Sequence, residues 1–450
     1  MSGEDRSEYR RKRRIRNQIL CFILLIILLA IISVGAIFGI SYINDVVKEK
    51  KAQKQAELLL KQQEEEEAAK AAEEELVIET PEIEDLEDEQ LETEEVEEIV
   101  EVEETDWLEE RVEASIKEIP LEDKVCGLFF VTPAALTGVD NVQVAGEKTQ
   151  EALNKYAVGG LIYDATNIDT YEKLQTMISN TRQMSKYKLF FGIDEEGGSV
   201  AKVGKNLEVT AIPSMKTVGS TNDPSQAYDA GTAMGLYLKD LGFNVDFAPV
   251  TDVLTDPDNT TIGDRSFGSD ASMVGQMAAK LAEGLQGEQV SACLKHFPGL
   301  GGTLTDTHKE ETVSDRTIEQ LRAEEFVAFS QGIQAGADFV MVSHMTCNGL
   351  GDEDPACLSA NVVTNILRGE LGYDGIVITD ALNMGAITSK YDSSTAAVKT
   401  IEAGCDMILM PQNFEEAYNG LLEAVKNGTI TEERIDESLK RIYRVKFKYE

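Results

Sequence analysis

The residues best suited to acid–base chemistry are concentrated in one stretch, KHFPGLGGTLTDTHKEE, residues 295–311. The chain has 450 residues but only three histidines, and His296 and His308 both fall here, with His344 further on. Asp306 stands two positions before His308, after a run rich in glycine. An aspartate so spaced can hydrogen-bond the imidazole, fix its tautomer and raise its pKa, making it a proton donor near neutrality. Asp380, in VITDALNM, ends an apolar run and would be held rigidly. A rigid carboxylate facing an acid/base is the pattern of retaining glycoside cleavage, where one group attacks the sugar carbon and the other protonates the leaving oxygen. Usually both groups are carboxyls; here the donor would be His308. On local sequence alone, Asp306 and His308 read more simply as an exposed polar turn, so the surrounding elements must decide.

Those elements form a regular series from Trp107 onward. Eight short apolar runs recur: CGLFFVTP, GGLIYDA, KLFFGIDEEGG, FNVDFAPVTDV, VSACLKHFPG, DFVMVSHM, GIVITDAL and DMILMP. Between them lie amphipathic stretches such as TYEKLQTMISNTRQMS, AYDAGTAMGLYLKDLG and ASMVGQMAAKLAEGLQG. Buried strands alternating with helices describe a parallel sheet covered by helices, and eight such units predict an α/β fold of the (β/α)8 TIM-barrel type. An open doubly wound sheet is the rival, but no strand is followed by a dinucleotide-type glycine fingerprint. In such barrels the active site lies at the C-terminal ends of the strands. The polar residues expected there are Asp194 and Glu195, Asp252, Lys295 and His296, His344 and Asp380.

Other chemistries fit less well. Three histidines with Asp194 or Asp380 could suggest zinc, yet there is no HxH or HExxH spacing, so no metal and no cofactor is expected. There is no GxSxG elbow and no Cys placed beside a His.

The net charge of −39 is unevenly distributed: residues 45–106 hold 26 acids against six bases, about half of the excess. So negative a chain excludes nucleic acid and other polyanions as partners. Residues 1–18 are the exception, a basic tail ahead of a 25-residue uncharged run, Ile19–Ile43. That run is long enough to span a hydrocarbon core of about 30 Å. The positive-inside bias predicts a single-pass cell-membrane anchor with its N-terminus cytoplasmic and the rest outside. A cleaved signal peptide is the alternative, although the apolar stretch is longer than such segments usually are. Residues 44–106 read as a helical spacer followed by an acidic, self-repelling stalk, and 107–450 as the catalytic barrel. Of six cysteines, Cys126, Cys293 and Cys405 read as buried, whereas Cys347 and Cys357 flank a polar loop and could pair.

The stretch KHFPGLGGTLTDTH is similar to the KHFPGHGDTxxDSH motif of glycoside hydrolase family 3, in its β-N-acetylhexosaminidase branch. The resemblance runs from Trp107 to Glu450: GIDEEGGSVAKV resembles the family's DQEGGRVQR, and FAPVTDV, NTTIGDRSFGSD, VITDALNMGAI and RIDESLKRIYRVK follow in family order. It implies Asp380 as the nucleophile, His308 as the acid/base with Asp306 as its partner, and Asp194, Arg265, Lys295 and His296 at sugar-binding positions. Lys202 stands where the family has an Arg, supplying charge without a planar fork. The implied function is a retaining exo-β-N-acetylglucosaminidase acting on terminal N-acetylhexosamine of cell-wall-derived saccharides. The departures are Leu300 and Gly302 for a His and an Asp, and Ser199 for an Arg. A β-glucosidase of the same family is a second reading. Against it, that branch takes its acid/base from another domain, and the chain is expected to end after the last barrel helix. A glycan-binding protein on an inactive barrel is a third. The oligomeric state has no signal in the sequence.

Overall fold

The computed structural model describes residues 107–304 and 311–449. The predicted tail, membrane helix and stalk (1–106), and the predicted pair Asp306 and His308, lie outside the described residues. Among the described residues no helix is long and apolar enough to cross a membrane.

Each of the eight apolar runs is a strand: β1 (Phe129–Val131), β2 (Gly160–Ile162), β3 (Phe190–Ile193), β4 (Val245–Asp246), β5 (Ser291–Phe297), β6 (Phe339–Val342), β7 (Ile376–Thr379) and β8 (Ile408–Leu409). All neighbours are parallel, in the order β8-β1-β2-β3-β4-β5-β6-β7. The barrel closes between β7 and β8 through the bridge Ile378↔Met407, with Thr379 N–H donating to the Met407 carbonyl at 3.2 Å. The strands are buried throughout and mostly apolar because both faces are covered, one by the barrel interior and one by helices.

The interior is filled by aromatic rings for which strand glycines make room. The Phe130 ring lies edge-on to Phe247 at 5.3 Å, and Phe190 packs against Phe339 at 5.2 Å. A Cβ on Gly160 or Gly192 would stand 2.7 Å from the Phe130 ring, so a side chain at either position would displace it. The helices carry ordinary start and stop chemistry. Asp223 caps Pro224–Leu241 and Asp270 caps Ala271–Gly287, each carboxylate accepting a first-turn N–H. At the opposite end of the barrel from the strands' C-termini, Asp406 is fully buried. It accepts from Ser438, Arg368, Arg441 and the Val377 N–H, tying the last helix to β7 and β8.

One strand departs from regular pairing. In β5, Leu294 is opposite Val340 and Phe297 opposite Val342, so three residues advance against two. A bulge of this kind re-aims side chains. It falls on Lys295 and His296, which in a regular strand would point to opposite faces. Cys347 and Cys357 do not pair as the sequence suggested; both are free, buried thiols. They sit at the buried ends of their loop, whose intervening residues 348–354 are exposed or half-buried.

Candidate active site

The C-terminal ends of the strands converge on a charged cluster. After β3 the chain turns into a small antiparallel hairpin, Glu195–Gly197 with Val200–Ala201. The three successive acids there alternate in direction, as extended backbone requires. Asp194 and Glu196 reach Lys295, whose ammonium lies 2.8 Å from Asp194 Oδ1 and 2.6 Å from Glu196 Oε1. Glu195 points the other way, accepting from the Val203 and Gly204 N–H groups and from Tyr237 Oη. It therefore holds the hairpin and does not face the mouth, contrary to its place among the expected strand-end residues.

Arg265 completes the cluster. Its Nε and Nη2 donate to the two Glu196 oxygens, both at 2.8 Å, a planar two-point contact that lysine could not make. Lys295 and Glu196 are almost fully buried, so their charges are tolerable only as a pair with further partners. Burial by itself would raise the Glu196 carboxyl, but Lys295 and Arg265 outweigh it and hold it down at about 2. Burial would likewise lower the Lys295 ammonium, yet Asp194 and Glu196 raise it above its ordinary value.

His296 is oriented from below by Asp252, which is wholly buried after β4. Asp252 Oδ2 lies 2.7 Å from His296 Nδ1 and 3.2 Å from its backbone N–H, while Oδ1 accepts from Leu300 N at 2.6 Å. With the carboxylate accepting from Nδ1–H, Nε2 is left as an acceptor, and Arg265 Nη2 stands 3.5 Å from it. Asp380 follows β7 directly. Its N–H donates to the Val342 carbonyl at 2.9 Å and its Oδ1 accepts from Ala381 N at 2.8 Å, so both backbone and carboxylate are fixed. Burial opposes its ionisation, but His344, His296, the Ala381 N–H and Lys295 together hold its carboxyl below the ordinary value. His344, fully buried after β6, meets the Ala381 carbonyl through Nε2 at 2.8 Å and Cys357 Sγ through Nδ1 at 3.2 Å.

Of the residues expected from sequence, Asp194, Arg265, Lys295, His296 and Asp380 are brought together. Lys202 is on the hairpin side, where its backbone N–H donates to the Asp194 carbonyl and its ammonium pairs with Asp164 after β2 at 2.9 Å. Ser199 donates to Asp264 at 3.1 Å. Glu196 was missed, because three adjacent acids give no sign of which faces inward until the strand's direction is known. A groove of about 1020 Å³ beside β8 and β1, lined by Lys148, Lys155, Tyr391 and Gln412 among others, includes none of the expected site residues. The charged cluster lies instead at the ends of β3, β5 and β7.

The depressed Glu196 carboxyl has a consequence for stability. Its folded value is below its unfolded one, so its contribution is present above about pH 4.5 and is lost as pH falls towards about 2. Thermal unfolding followed across that window should show a falling midpoint, with a shallower slope in Glu196→Gln.

Comparison with known proteins gives consistent matches. The model of the glycosyl hydrolase family 3 N-terminal domain matches residues 121–445. Beta-hexosaminidase A of Pseudoalteromonas piscicida is 30% identical over 328 residues, 66% of this chain and 54% of that protein. The chain therefore spans about half the length of that relative. The beta-hexosaminidase of Stenotrophomonas maltophilia (strain R551-3) is 30% identical over 294 residues, 64% of this chain and 86% of the relative. Among solved structures, the glycoside hydrolase family 3 beta-N-acetylglucosaminidase of Paenibacillus sp. str. FPU-7 superposes with a TM-score of 0.69 at 34% identity, over 73% of this chain and 62% of that one.

Proposed function

The chain belongs to the glycosyl hydrolase family 3, and on that premise we propose that it is a retaining exo-β-N-acetylglucosaminidase acting on cell-wall-derived saccharides. The observation that carries this reading is Asp380: a carboxylate rigidly held at the end of β7, kept ionised, beside a cluster of groups suited to sugar hydroxyls. Its Oδ atom attacks the anomeric carbon, the glycosidic bond breaks, and His308 gives a proton to the departing oxygen. Water then adds with His308 as base, releasing the sugar with its configuration retained and freeing Asp380. Asp306 orients His308 and stabilises its protonated form. Asp194 accepts from sugar hydroxyls, Lys295 and Arg265 donate to them, and His296 accepts through Nε2, with Lys202 at the rim. The N-terminal segment holds the enzyme on the outer face of the cell membrane, and the acidic stalk gives it reach towards its substrate. The beta-hexosaminidase relatives support the choice of sugar.

The test is turnover of 4-nitrophenyl β-N-acetylglucosaminide and 4-nitrophenyl β-glucoside by the purified full chain, with Asp380→Ala as control. Preference for the acetamido sugar, lost in the variant, is expected. Turnover of the glucoside alone would overturn the choice of sugar, and silence on both would favour a glycan-binding protein. The proton-donor role has its own signature. His308→Ala should lose about 100-fold in kcat/KM on N,N′-diacetylchitobiose yet little in kcat/KM on a 2,4-dinitrophenyl glycoside, whose leaving group departs unprotonated.

A further inference from the structure

We infer that Arg316, held by Glu325, is a positioning residue for the proton donor: it joins the two chain segments between which Asp306 and His308 lie. The inference rests on the reading of His308 as acid/base and goes beyond it in naming what sets that group's place.

The outgoing segment, after β5, is fixed to the loop after β4. Leu300 N–H donates to Asp252, the Leu300 carbonyl accepts from Asn259 Nδ2 at 2.8 Å, and Asp256 N–H donates to the Gly301 carbonyl at 3.2 Å. A Cβ on Gly301 would stand 1.8 Å from the Val253 carbonyl oxygen, so only glycine permits this approach. The returning segment is fixed to the loop after β6: Thr346 N–H donates to the Thr312 carbonyl at 2.8 Å, and Ser314 N–H to the Thr346 carbonyl at 2.9 Å. The two segments thus hang from different strands of the barrel.

Arg316 spans them. Its Nη1 donates to Thr255 Oγ1 (3.3 Å), on the loop that holds the outgoing segment, and to Glu325 Oε1; its Nη2 donates to Glu324 Oε2 at 2.6 Å. Glu325 opens the helix Glu325–Gln334, and its side chain is 1% exposed. Burial pushes its carboxyl up to about 7 against the pull of Arg316, and among the described residues Oε2 has no hydrogen-bond partner. So costly a carboxylate has a role beyond filling space. It also backs the outgoing segment directly, since a Cβ on Gly299 would meet Glu325 Cγ at 2.3 Å. Gly302 leaves the space that Arg316 occupies: a Cβ there would be 2.7 Å from Thr255 Oγ1 and 3.5 Å from Arg316 Nη1. The departure from the family's Asp at this position is therefore matched by a guanidinium whose charge is answered from the helix side.

Misplacement of a proton donor by about 1 Å costs up to about 100-fold. Arg316→Ala in the full chain should therefore lower kcat/KM on N,N′-diacetylchitobiose about 10- to 100-fold, with less than about a threefold change in kcat/KM on the 2,4-dinitrophenyl glycoside, where that ratio reports only the bond-breaking step. On the activated glycoside kcat and KM should fall together, because hydrolysis of the glycosyl-enzyme still needs His308 as base. Arg316→Lys, which keeps charge but not the two-sided fork, should recover part of the loss. Glu325→Gln, nearly isosteric, provides a second variant should the first fold poorly, and should show the same selectivity between leaving groups. Equal losses on both substrates, with His308→Ala still selective, would overturn the positioning role and leave the acid/base reading intact. A His308→Ala variant with no selectivity would overturn both.

Discussion

Asp380→Ala should lower kcat on every glycoside by about four orders of magnitude or more, whatever the leaving group. The reason is geometric as well as chemical. Asp380 is placed by its own backbone bond to Val342 and by the Ala381 N–H on its Oδ1, so no other carboxylate can swing into its position. The neighbouring acids are committed elsewhere: Glu196 to Arg265 and Lys295, Asp194 to Lys295, Asp252 to His296 and Leu300. Removing a partly exposed strand-end carboxylate leaves the core untouched, so the variant should melt within a few degrees of the parent. Added azide should restore measurable turnover of an activated glycoside, since it can enter the space and attack the anomeric carbon. The product, an α-glycosyl azide, would carry inverted configuration and is readily identified by NMR. A β-linked product, or residual activity within a factor of ten of the parent, would remove Asp380 from the nucleophile role.

Lys295→Met should cost about 3–5 kcal/mol of folding stability, because it strips a buried cation from two carboxylates at once. The Lys295 side chain is 2% exposed and contacts both Asp194 and Glu196, whereas Arg265 satisfies only Glu196. Methionine fills the volume, so the loss measured by denaturant unfolding reports the unpaired charge and not a cavity. Pairing the change with Glu196→Gln tests that account. If repulsion between the orphaned carboxylates dominates, the double variant should be more stable than the sum of the two single changes predicts. Strict additivity would mean the pair is uncoupled. Activity should fall with stability in Lys295→Met but not return in the double variant, since Asp194 would still lack the ammonium that orients it towards the sugar.

Much of this was legible in the chain itself. The eight apolar runs specify a parallel barrel because strands buried on both faces must be continuously apolar, and the intervening amphipathic stretches can only be the covering helices. Strand ends then follow from where the apolar runs stop, which is how Asp194, Lys295, His296, His344 and Asp380 could be placed at one mouth from spacing alone. The motif order along residues 107–450 supplied the roles that spacing could not.

Direction and pairing were decided only by tertiary structure. Which of Asp194, Glu195 and Glu196 faces the mouth depends on the register of a two-residue alternation, and one step of slip would exchange them. Lys295 and His296 both reach the charged cluster where β5 gains a residue against β6 and the peptide bond between them is cis, a local geometry visible only once two strands 46 residues apart are paired. The burial of Cys347 and Cys357, and the meeting of Arg316 with Thr255 and Glu325, depend likewise on how distant loops pack. Composition and periodicity carry the local preferences of backbone and side chain. The partners that set charge, tautomer and direction come from contacts between residues far apart in sequence, and the fold alone brings them within reach.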